Sequence, residues 1–324
     1  PPPRRPPAAK PANSAGQRPA WAPFAVMGCN QSNQQAKPVQ TRRRLSVGHV
    51  DATKDMGTTE TEEEDRGLIT TLNQENVLEL IKADNGGRKF SIGSQTDESK
   101  MTSFANKKVV SDGEAVDPTA QALGFTCRKG LKPESPNQDS WMVLKVEQFS
   151  IYGVFDGHGQ KGHDVSQYTK ETLPKLILRD QRFRTDGMQD MLVDVFKKTQ
   201  SLISTADRMK KLSAQMSGTT CTICIHDHEN NKITVAHVAD STCVLGKQNK
   251  DGTLTGKAIT RDHKPDLKDE RQRIERMGGR VIFDGYCNHR VYAKNGRYPG
   301  LNMSRCLGDL MGHADAGCSC EPEV

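Results

Sequence analysis

From residue 121 onward, short apolar runs bounded by polar turns follow one another along the chain, a pattern typical of β-strands. The runs cover residues 140–146, 149–155, 219–226, 233–238 and 243–245. Asn230 and Asn231 stand between two of these runs and predict a hairpin turn. Because the strands are grouped and do not form repeated βαβ units, the pattern favours an α+β fold built from layers.

Three segments of this region show helical periodicity instead, at about residues 164–179, 186–212 and 267–277. The second segment places its apolar residues on one face of a helix, which predicts a stripe that faces the core. The stripe consists of Met188, Met191, Leu192, Val195, Phe196, Leu202 and Ile203. The third segment ends at Gly278 and Gly279, and glycine at this place commonly ends a helix.

The first 120 residues have fewer apolar runs, and we divide them into three parts. Residues 1–66 are first basic and then acidic, and they are predicted to be disordered. Residues 67–87 are predicted to hold one short amphipathic helix. Residues 88–120 are predicted to be a linker rich in Ser, Thr, Lys and Asp. Residues 121–324 then form the domain that carries the chemistry.

Composition and charge support this division. Hydrophobic residues make up 34% of the chain, and the net charge of +6 arises in residues 1–50, which hold eight basic residues and no acidic one. A basic segment of this kind suits an anionic membrane surface or a nucleic acid, unless it is a solvated tail. The nine cysteines show no disulfide framework, which indicates a reducing, cytoplasmic compartment. No apolar run approaches the roughly 18 residues of a membrane-spanning helix.

The strongest sign of chemistry is the sequence Val-Phe-Asp-Gly-His-Gly at residues 154–159. An apolar strand ends there, so it holds the Asp156 carboxylate rigidly, and Gly157 leaves its carbonyl accessible to a ligand. Asp139 begins the preceding strand. If the two strands are antiparallel neighbours, both carboxylates lie at the same end of the sheet and can form a site for a hard divalent cation. The plainer alternative is a turn with a solvated Asp and His.

These residues belong to a series of segments that resembles the metal-dependent protein phosphatase family (PPM, protein phosphatase type 2C). The segments occur in the family's order. They are Asn-Gln-Asp at 137–139, Phe-Asp-Gly-His-Gly at 155–159, Ser-Gly-Thr-Thr at 217–220, Val-Ala-Asp-Ser at 238–241, Thr-Arg-Asp-His-Lys-Pro at 260–265, Glu270 to Gly279, Ser-Arg-Cys-Leu-Gly-Asp at 304–309, and Glu-Pro-Glu-Val at 321–324.

The resemblance implies a fold, a cofactor and roles for residues. The family fold is a sandwich of two antiparallel β-sheets flanked by helices, with two Mg²⁺ or Mn²⁺ ions in the complete domain. Asp156 would bridge the ions, Asp139 and the Gly157 carbonyl would serve one of them, and His158 would protonate the leaving alkoxide. The implied function is hydrolysis of phosphoserine and phosphothreonine in proteins by a metal-activated water, without a phosphoenzyme intermediate.

Other positions are interpreted through the same resemblance. Arg128 is the implied partner of the substrate phosphate, with Lys129 as the alternative, because guanidinium is the better bidentate partner. Gln138 replaces a glutamate found in many members, and Ala239 replaces a common glycine. No acid directly precedes Ser217, so we predict no third metal there. We interpret six further residues as turn, cap and buried-network residues: Asp240, Asp262, His263, Ser304, Arg305 and Asp309.

Other classes of protein fit less well. No cysteine is followed six positions later by arginine, as a cysteine-based phosphatase requires, and no P-loop pattern occurs. A zinc knuckle at Cys221 and Cys224 is disfavoured because the segment reads as a strand and no second pair follows. The remaining alternative is a non-catalytic phosphoprotein-binding pseudophosphatase, which Gln138 favours and the retained Asp139, Asp156 and His158 oppose.

Two expectations concern the ends of the chain. Residues 27–32, Met-Gly-Cys-Asn-Gln-Ser, fit the N-myristoylation pattern if translation starts at Met27, with Gly28 acylated and Cys29 available for palmitoylation. We therefore expect a cytoplasmic monomer acting on phosphoprotein substrates, with peripheral membrane contact under that condition and no nucleic-acid partner. The family also uses two later metal-binding aspartates that nothing up to Val324 replaces, so residues 1–324 alone are expected to be nearly inactive.

Overall fold

The computed structural model describes residues 25–28, 60–81, 89–96, 107–115, 117–130 and 136–324, the first of these ranges by its backbone only. The helices are α1 (Glu60–Gln74), α2 (Gly162–Arg179), α3 (Met188–Arg208), α4 (Lys268–Arg276) and α5 (Leu310–Asp315). The strands are β1 (Ala25–Gly28), β2 (Phe90–Gln95), β3 (Lys108–Gly113), β4 (Asp139–Lys145), β5 (Phe149–Gly159), β6 (Ser217–Thr219), β7 (Cys221–Asp227), β8 (Lys232–Val238), β9 (Thr242–Gln248), β10 (Leu254–Ala258), β11 (Arg280–Phe283), β12 (His289–Tyr292), β13 (Pro299–Leu301) and β14 (Leu307–Gly308).

The predicted α+β class with antiparallel sheets flanked by helices is confirmed. Eight strands form the main sheet in the order β14-β6-β5-β4-β2-β3, with β7 joining β5 to β8. Every strand pair in this sheet is antiparallel. Two three-stranded sheets, β1-β9-β10 and β11-β12-β13, complete the described strands. The strands and helices expected after residue 121 occur within a few residues of their predicted bounds, and the predicted hairpin turn joins β7 to β8.

The main core lies between one face of this sheet and helices α2 and α3. All seven residues of the predicted stripe on α3 are buried there. Phe196 on α3 and Phe155 on β5 are fully buried. Because burying a large apolar side chain stabilises by roughly 1.5–3 kcal/mol, this packing holds the end of β5 firmly in place.

Strand β5 is the centre of the sheet and positions the candidate site. One of its edges pairs with β4, and the other pairs first with β7 and then, through residues 157–159, with β6. The segment that holds Asp156, Gly157 and His158 is therefore paired on at least one side throughout, as a rigid scaffold requires.

The predictions for residues 67–120 were wrong in two respects. The helix is α1, which begins at Glu60 and ends at Gln74. It begins earlier than predicted because the acidic side chains among residues 60–63 interact favourably with the N-terminal end of the helix dipole. The predicted linker contains β2 and β3, and β2 pairs with β4. The sequence Phe-Ser-Ile-Gly-Ser-Gln of β2 alternates between buried and more exposed positions, which is a strand signal, whereas every residue of β3 is exposed.

Helix α1 is fixed to α3 by a buried carboxylate. Asp65 accepts hydrogen bonds from Ser201 Oγ at 2.5 Å and Thr205 Oγ1 at 3.2 Å, and its other oxygen lies 2.7 Å from Lys198 Nζ. Residues 60–66, which were predicted to be disordered, are therefore part of the fold. The predicted disorder of residues 1–59 falls outside the described residues except for β1.

Strand β1 contains one of the two lipidation candidates. Gly28 ends this strand and lies opposite Thr242 in an antiparallel pair with β9, whereas Cys29 lies outside the described residues. In the described part of the chain, no helix combines the length and the apolar character needed to cross a bilayer.

Candidate active site

Asp139 and Asp156 face each other across β4 and β5. They are direct Cα partners in the antiparallel ladder, at the beginning of β4 and near the end of β5. Because directly opposed residues of an antiparallel pair project from the same face, the two carboxylates belong to one site. The juxtaposition expected from the sequence is confirmed, and the metal-binding role of the two residues stays a prediction.

The backbone beside these carboxylates is closely packed. Gly157 N donates to the Gln138 carbonyl at 3.2 Å, and Gln138 Nε2 donates to the Gly159 carbonyl at 2.7 Å. A Cβ atom at Gly157 would lie 2.5 Å from the Gln138 carbonyl oxygen and 2.3 Å from that of Gly162, so only glycine fits. The amide of Gln138 thus anchors the loop by donating a hydrogen bond that an ionised glutamate could not make.

His158 contacts a residue from a distant part of the chain. Its Nε2 lies 2.5 Å from Asp309 Oδ2, and the Asp309 side chain is only 1% exposed. Nδ1 of His158 is buried without a hydrogen-bond partner. Asp309, which was interpreted as a turn or network residue, therefore belongs to the candidate site and orients the imidazole.

A glycine makes this contact sterically feasible. Gly218 lies opposite His158 in the β5–β6 ladder, and a Cβ atom there would lie 2.1 Å from Asp309 Oδ2. Asp309 has a left-handed backbone with φ of 42°, which aims its side chain over Gly218. Because Gly218 of the Ser-Gly-Thr-Thr segment has no side chain, the Asp309 carboxylate can occupy the space above it.

The surroundings of His158 favour its protonated form. Burial lowers the pKa of this imidazole, but the charge and hydrogen bond of Asp309, together with the charges of Asp156 and Asp240, raise it by more. The net result is a pKa above the usual 6.5. The shift increases the protonated fraction of His158, which is the form that a general acid requires.

Hydroxyl groups from two of the matching segments hold the end of β5. Thr220 Oγ1 accepts from Asp156 N at 2.8 Å, and Thr220 N donates to the Asp156 carbonyl at 2.9 Å. The Thr220 hydroxyl also lies 2.7 Å from Ser241 Oγ. Thr220 and Ser241 therefore position the backbone of Asp156 and act through it.

The residues around Asp240 show why glycine is common before this aspartate. Ala239 has a φ of 73°, in the left-handed region that costs a residue with a Cβ atom about 1–2 kcal/mol. Asp240 forms an ion pair with Lys264. Burial raises the pKa of the nearby Asp262 carboxyl. The structure gives Asp240 an ion-pair partner, in agreement with its interpretation as a network residue.

Ser304 and Arg305 also form a buried network, as expected. Glu270 on α4 accepts hydrogen bonds from Ser304 Oγ at 2.5 Å and from Arg305 Nη2 at 2.5 Å. Arg273 donates to the same carboxylate at 2.7 Å. The network connects α4 to the segment that leads into β14 and Asp309.

Two cationic side chains, Arg128 and Lys107, belong to segments that contact the start of β4. Arg128 is exposed, and its neighbour Cys127 accepts a hydrogen bond from Asn137 Nδ2 at 3.1 Å, which keeps this segment beside the start of β4. Lys107, which the sequence placed in a linker, is buried and donates to Ser140 Oγ at 2.8 Å. Burial lowers the pKa of Lys107 to about 8. No sequence motif marked Lys107.

Comparisons with known proteins agree with the geometry. The family model for protein phosphatase 2C matches residues 130–324, which is more than half of the chain. "Probable protein phosphatase 2C 3" of Paramecium tetraurelia is 33% identical over 177 residues, which are 53% of this chain and 53% of the relative. "Probable protein phosphatase 2C 72" of Arabidopsis thaliana is 29% identical over 256 residues, 74% of this chain and 76% of the relative.

A solved serine-threonine phosphatase 2C from Toxoplasma gondii superposes with a TM-score of 0.49 at 20% identity, covering 58% of this chain and 67% of that one. The chain spans about half the length of the first Paramecium relatives that it matches. The match of residues 130–324 decides the assignment, and the chain belongs to the protein phosphatase 2C family.

Proposed function

We propose that this protein hydrolyses phosphoserine and phosphothreonine in other proteins with the aid of Mg²⁺ or Mn²⁺. The observation that carries the proposal is the direct opposition of Asp139 and Asp156, with His158 two residues further along the same strand. Family membership supports a phosphatase, and this arrangement supplies its two chemical requirements: carboxylates for hard cations and a proton donor for the leaving group.

The residues at this sheet end fit divalent cations. Two carboxylates and the Gly157 carbonyl form an all-oxygen donor set, which hard cations prefer, and the crowded backbone at Gly157 fixes the direction of that carbonyl. Asp156 would bridge two ions, and Asp139 and Gly157 would serve one of them. When bound, the ions would acidify a water for in-line attack on phosphorus and would neutralise charge on the transferring group.

His158 is assigned the role of general acid. A serine or threonine alkoxide is a poor leaving group and needs a proton as its bond to phosphorus breaks. Asp309 holds the imidazole through Nε2 and contributes to its raised pKa, so the protonated imidazole is the proposed proton donor. Asp309 is a positioning residue, since it acts on the substrate through His158.

Arg128 is the proposed partner of the substrate phosphate. Its segment lies beside the start of β4 through the bond between Cys127 and Asn137, and its exposed guanidinium can form two parallel hydrogen bonds to phosphate oxygens. We propose phosphoprotein substrates, a monomeric protein and, if translation starts at Met27, an acylated N-terminus that contacts the cytoplasmic membrane surface.

The test is turnover of a phosphothreonine peptide by the full-length protein with Mn²⁺ and with a chelator. We expect hydrolysis with Mn²⁺ and none with the chelator. Binding of the phosphopeptide without any turnover, at all metal concentrations, would favour the pseudophosphatase instead.

A further inference from the structure

Two histidines and a glutamate converge at a place that the proposed reaction does not use. His237 ends β8 together with Val238, His263 lies between β10 and α4, and Glu323 lies in the final segment. His237 and Glu323 exchange two backbone hydrogen bonds, at 2.9 and 3.0 Å. One potential ligand atom from each of the three side chains lies within 4.8 Å of the others.

Three of the four imidazole nitrogens in this cluster are buried without hydrogen-bond partners. His263 is 0% exposed and neither of its ring nitrogens has a hydrogen-bond partner, and Nδ1 of His237, a side chain 3% exposed, has none either. A buried polar group left unsatisfied costs about 1–3 kcal/mol, and most native proteins avoid this. Three such nitrogens in one cluster indicate that a ligand belongs there.

The distances suit a metal ion better than a hydrogen bond. Nε2 of His237 and Nε2 of His263 each lie 3.7 Å from Glu323 Oε2, which is too long for a hydrogen bond. Ligands about 2.1 Å from a tetrahedral zinc ion are separated by about 3.4 Å. The two rings are stacked with an interplanar angle of 9°, so they must tilt toward each other to share an ion.

Ligand type and charge select the kind of metal. Both histidines are buried and present ring nitrogens without hydrogen-bond partners, and imidazole binds a metal in its neutral form. Arg261 donates to Glu323 Oε1 at 2.6 Å, which leaves Oε2 directed at the histidines. Arg305 is also close, and the two guanidinium groups oppose a weakly bound cation. Imidazole favours Zn²⁺ over Mg²⁺ or Mn²⁺.

We propose that His237, His263 and Glu323 form a zinc site that fastens the segment around Glu323 to β8 and to the loop before α4. This site is separate from the pair Asp139 and Asp156, and it takes a softer metal. Because Glu323 is about one-third exposed, water can reach the ion and complete its coordination.

The test is Zn²⁺ binding by equilibrium dialysis on the full-length protein carrying Asp139→Asn and Asp156→Asn, which remove the ligands of the proposed phosphatase metals. We expect about one Zn²⁺ per chain, with His237→Asn and Glu323→Gln each weakening the affinity by at least about tenfold. Co²⁺ in place of Zn²⁺ should give the intense visible absorption of a tetrahedral site, and His237→Asn should abolish it.

The matched control is His226→Asn. His226 stacks edge-on against His228 at an interplanar angle of 75°, in a second histidine pair outside the cluster, and its loss should leave Zn²⁺ affinity unchanged. Circular dichroism should verify that each variant is folded. Absence of stoichiometric Zn²⁺, or unchanged affinity in folded His237→Asn and Glu323→Gln, would overturn the proposal, whatever the phosphatase activity.

Discussion

At the residue scale, the site depends on a contact between His158 and Asp309, which are 151 positions apart. His158→Gln should slow turnover of a phosphothreonine peptide by about 10²–10⁴-fold, because the alkoxide then leaves without a proton. Turnover of p-nitrophenyl phosphate should fall much less, since nitrophenolate needs little protonation. The measurement is kcat/KM for both substrates on the full-length protein.

Asp309→Asn should likewise slow turnover of the phosphothreonine peptide more than turnover of p-nitrophenyl phosphate, but by a smaller factor than His158→Gln. Asp315→Asn is a matched control, because Asp315 lies at the opposite end of α5 from Asp309 and accepts a hydrogen bond from the Tyr298 hydroxyl at 3.0 Å. Equal losses on both substrates would remove His158 from the acid role and leave Asp309 a purely structural residue.

The sequence could predict part of this site but not the whole. The motif Phe-Asp-Gly-His-Gly and the expectation of antiparallel strands were enough to pair Asp139 with Asp156. The role of Asp309 could not be predicted, because its direction depends on a left-handed φ of 42° and on the space above Gly218. Both are properties of tertiary packing, and neither has a local signal in the sequence.

At the element scale, the carboxylate of Glu270 connects α4 to Ser304 and Arg305. Burial raises the pKa of this carboxyl group, but hydrogen bonds from Arg305, Ser304 and Arg273 lower it by more. The resulting pKa is about 2, compared with the usual 4.5. A carboxyl with a depressed folded pKa stabilises the fold above its unfolded pKa, and this stability disappears as the pH falls from 4.5 toward 2.

Glu270→Gln should therefore lower the free energy of unfolding by about 3 kcal/mol at pH 7. The difference in this free energy between the wild type and the variant should become smaller as the pH falls below 4.5. Urea unfolding of both proteins at several pH values measures this. Glu275→Gln is the control, since its pair with Arg271 is exposed and should contribute about 0–1 kcal/mol. A Glu270→Gln difference that is constant with pH would show that the charge is not responsible.

Strand β3 was missed by sequence interpretation for a physical reason. Strand β3 is exposed at every position, so it lacks the alternation that marks a half-buried strand, and only its pairing with β2 forms it. Lys107, one residue before β3, is buried where its ammonium group donates to Ser140 Oγ on β4. Long periodic elements such as α3 were predictable because their apolar stripe is dictated by the core.

At the scale of the whole molecule, the N-terminal segment is predicted to attach the protein to a membrane if translation starts at Met27. One acyl chain on Gly28 binds a membrane only marginally, so a second signal from Cys29 or the neighbouring basic residues is needed. In cells, Gly28→Ala in a protein that begins at Met27 should move it from the membrane fraction to the soluble fraction. Retention in the membrane fraction would contradict acylation.

The most direct test of the central claim compares two aspartate variants of the full-length protein in Mn²⁺-dependent hydrolysis of a phosphothreonine peptide. Asp156→Asn removes the carboxylate that faces Asp139, and Asp186→Asn removes an exposed carboxylate in the turn before α3. We predict that turnover falls to background in Asp156→Asn and stays at the wild-type rate in Asp186→Asn. Wild-type turnover by a folded Asp156→Asn variant would contradict the claim that this sheet end is the active site.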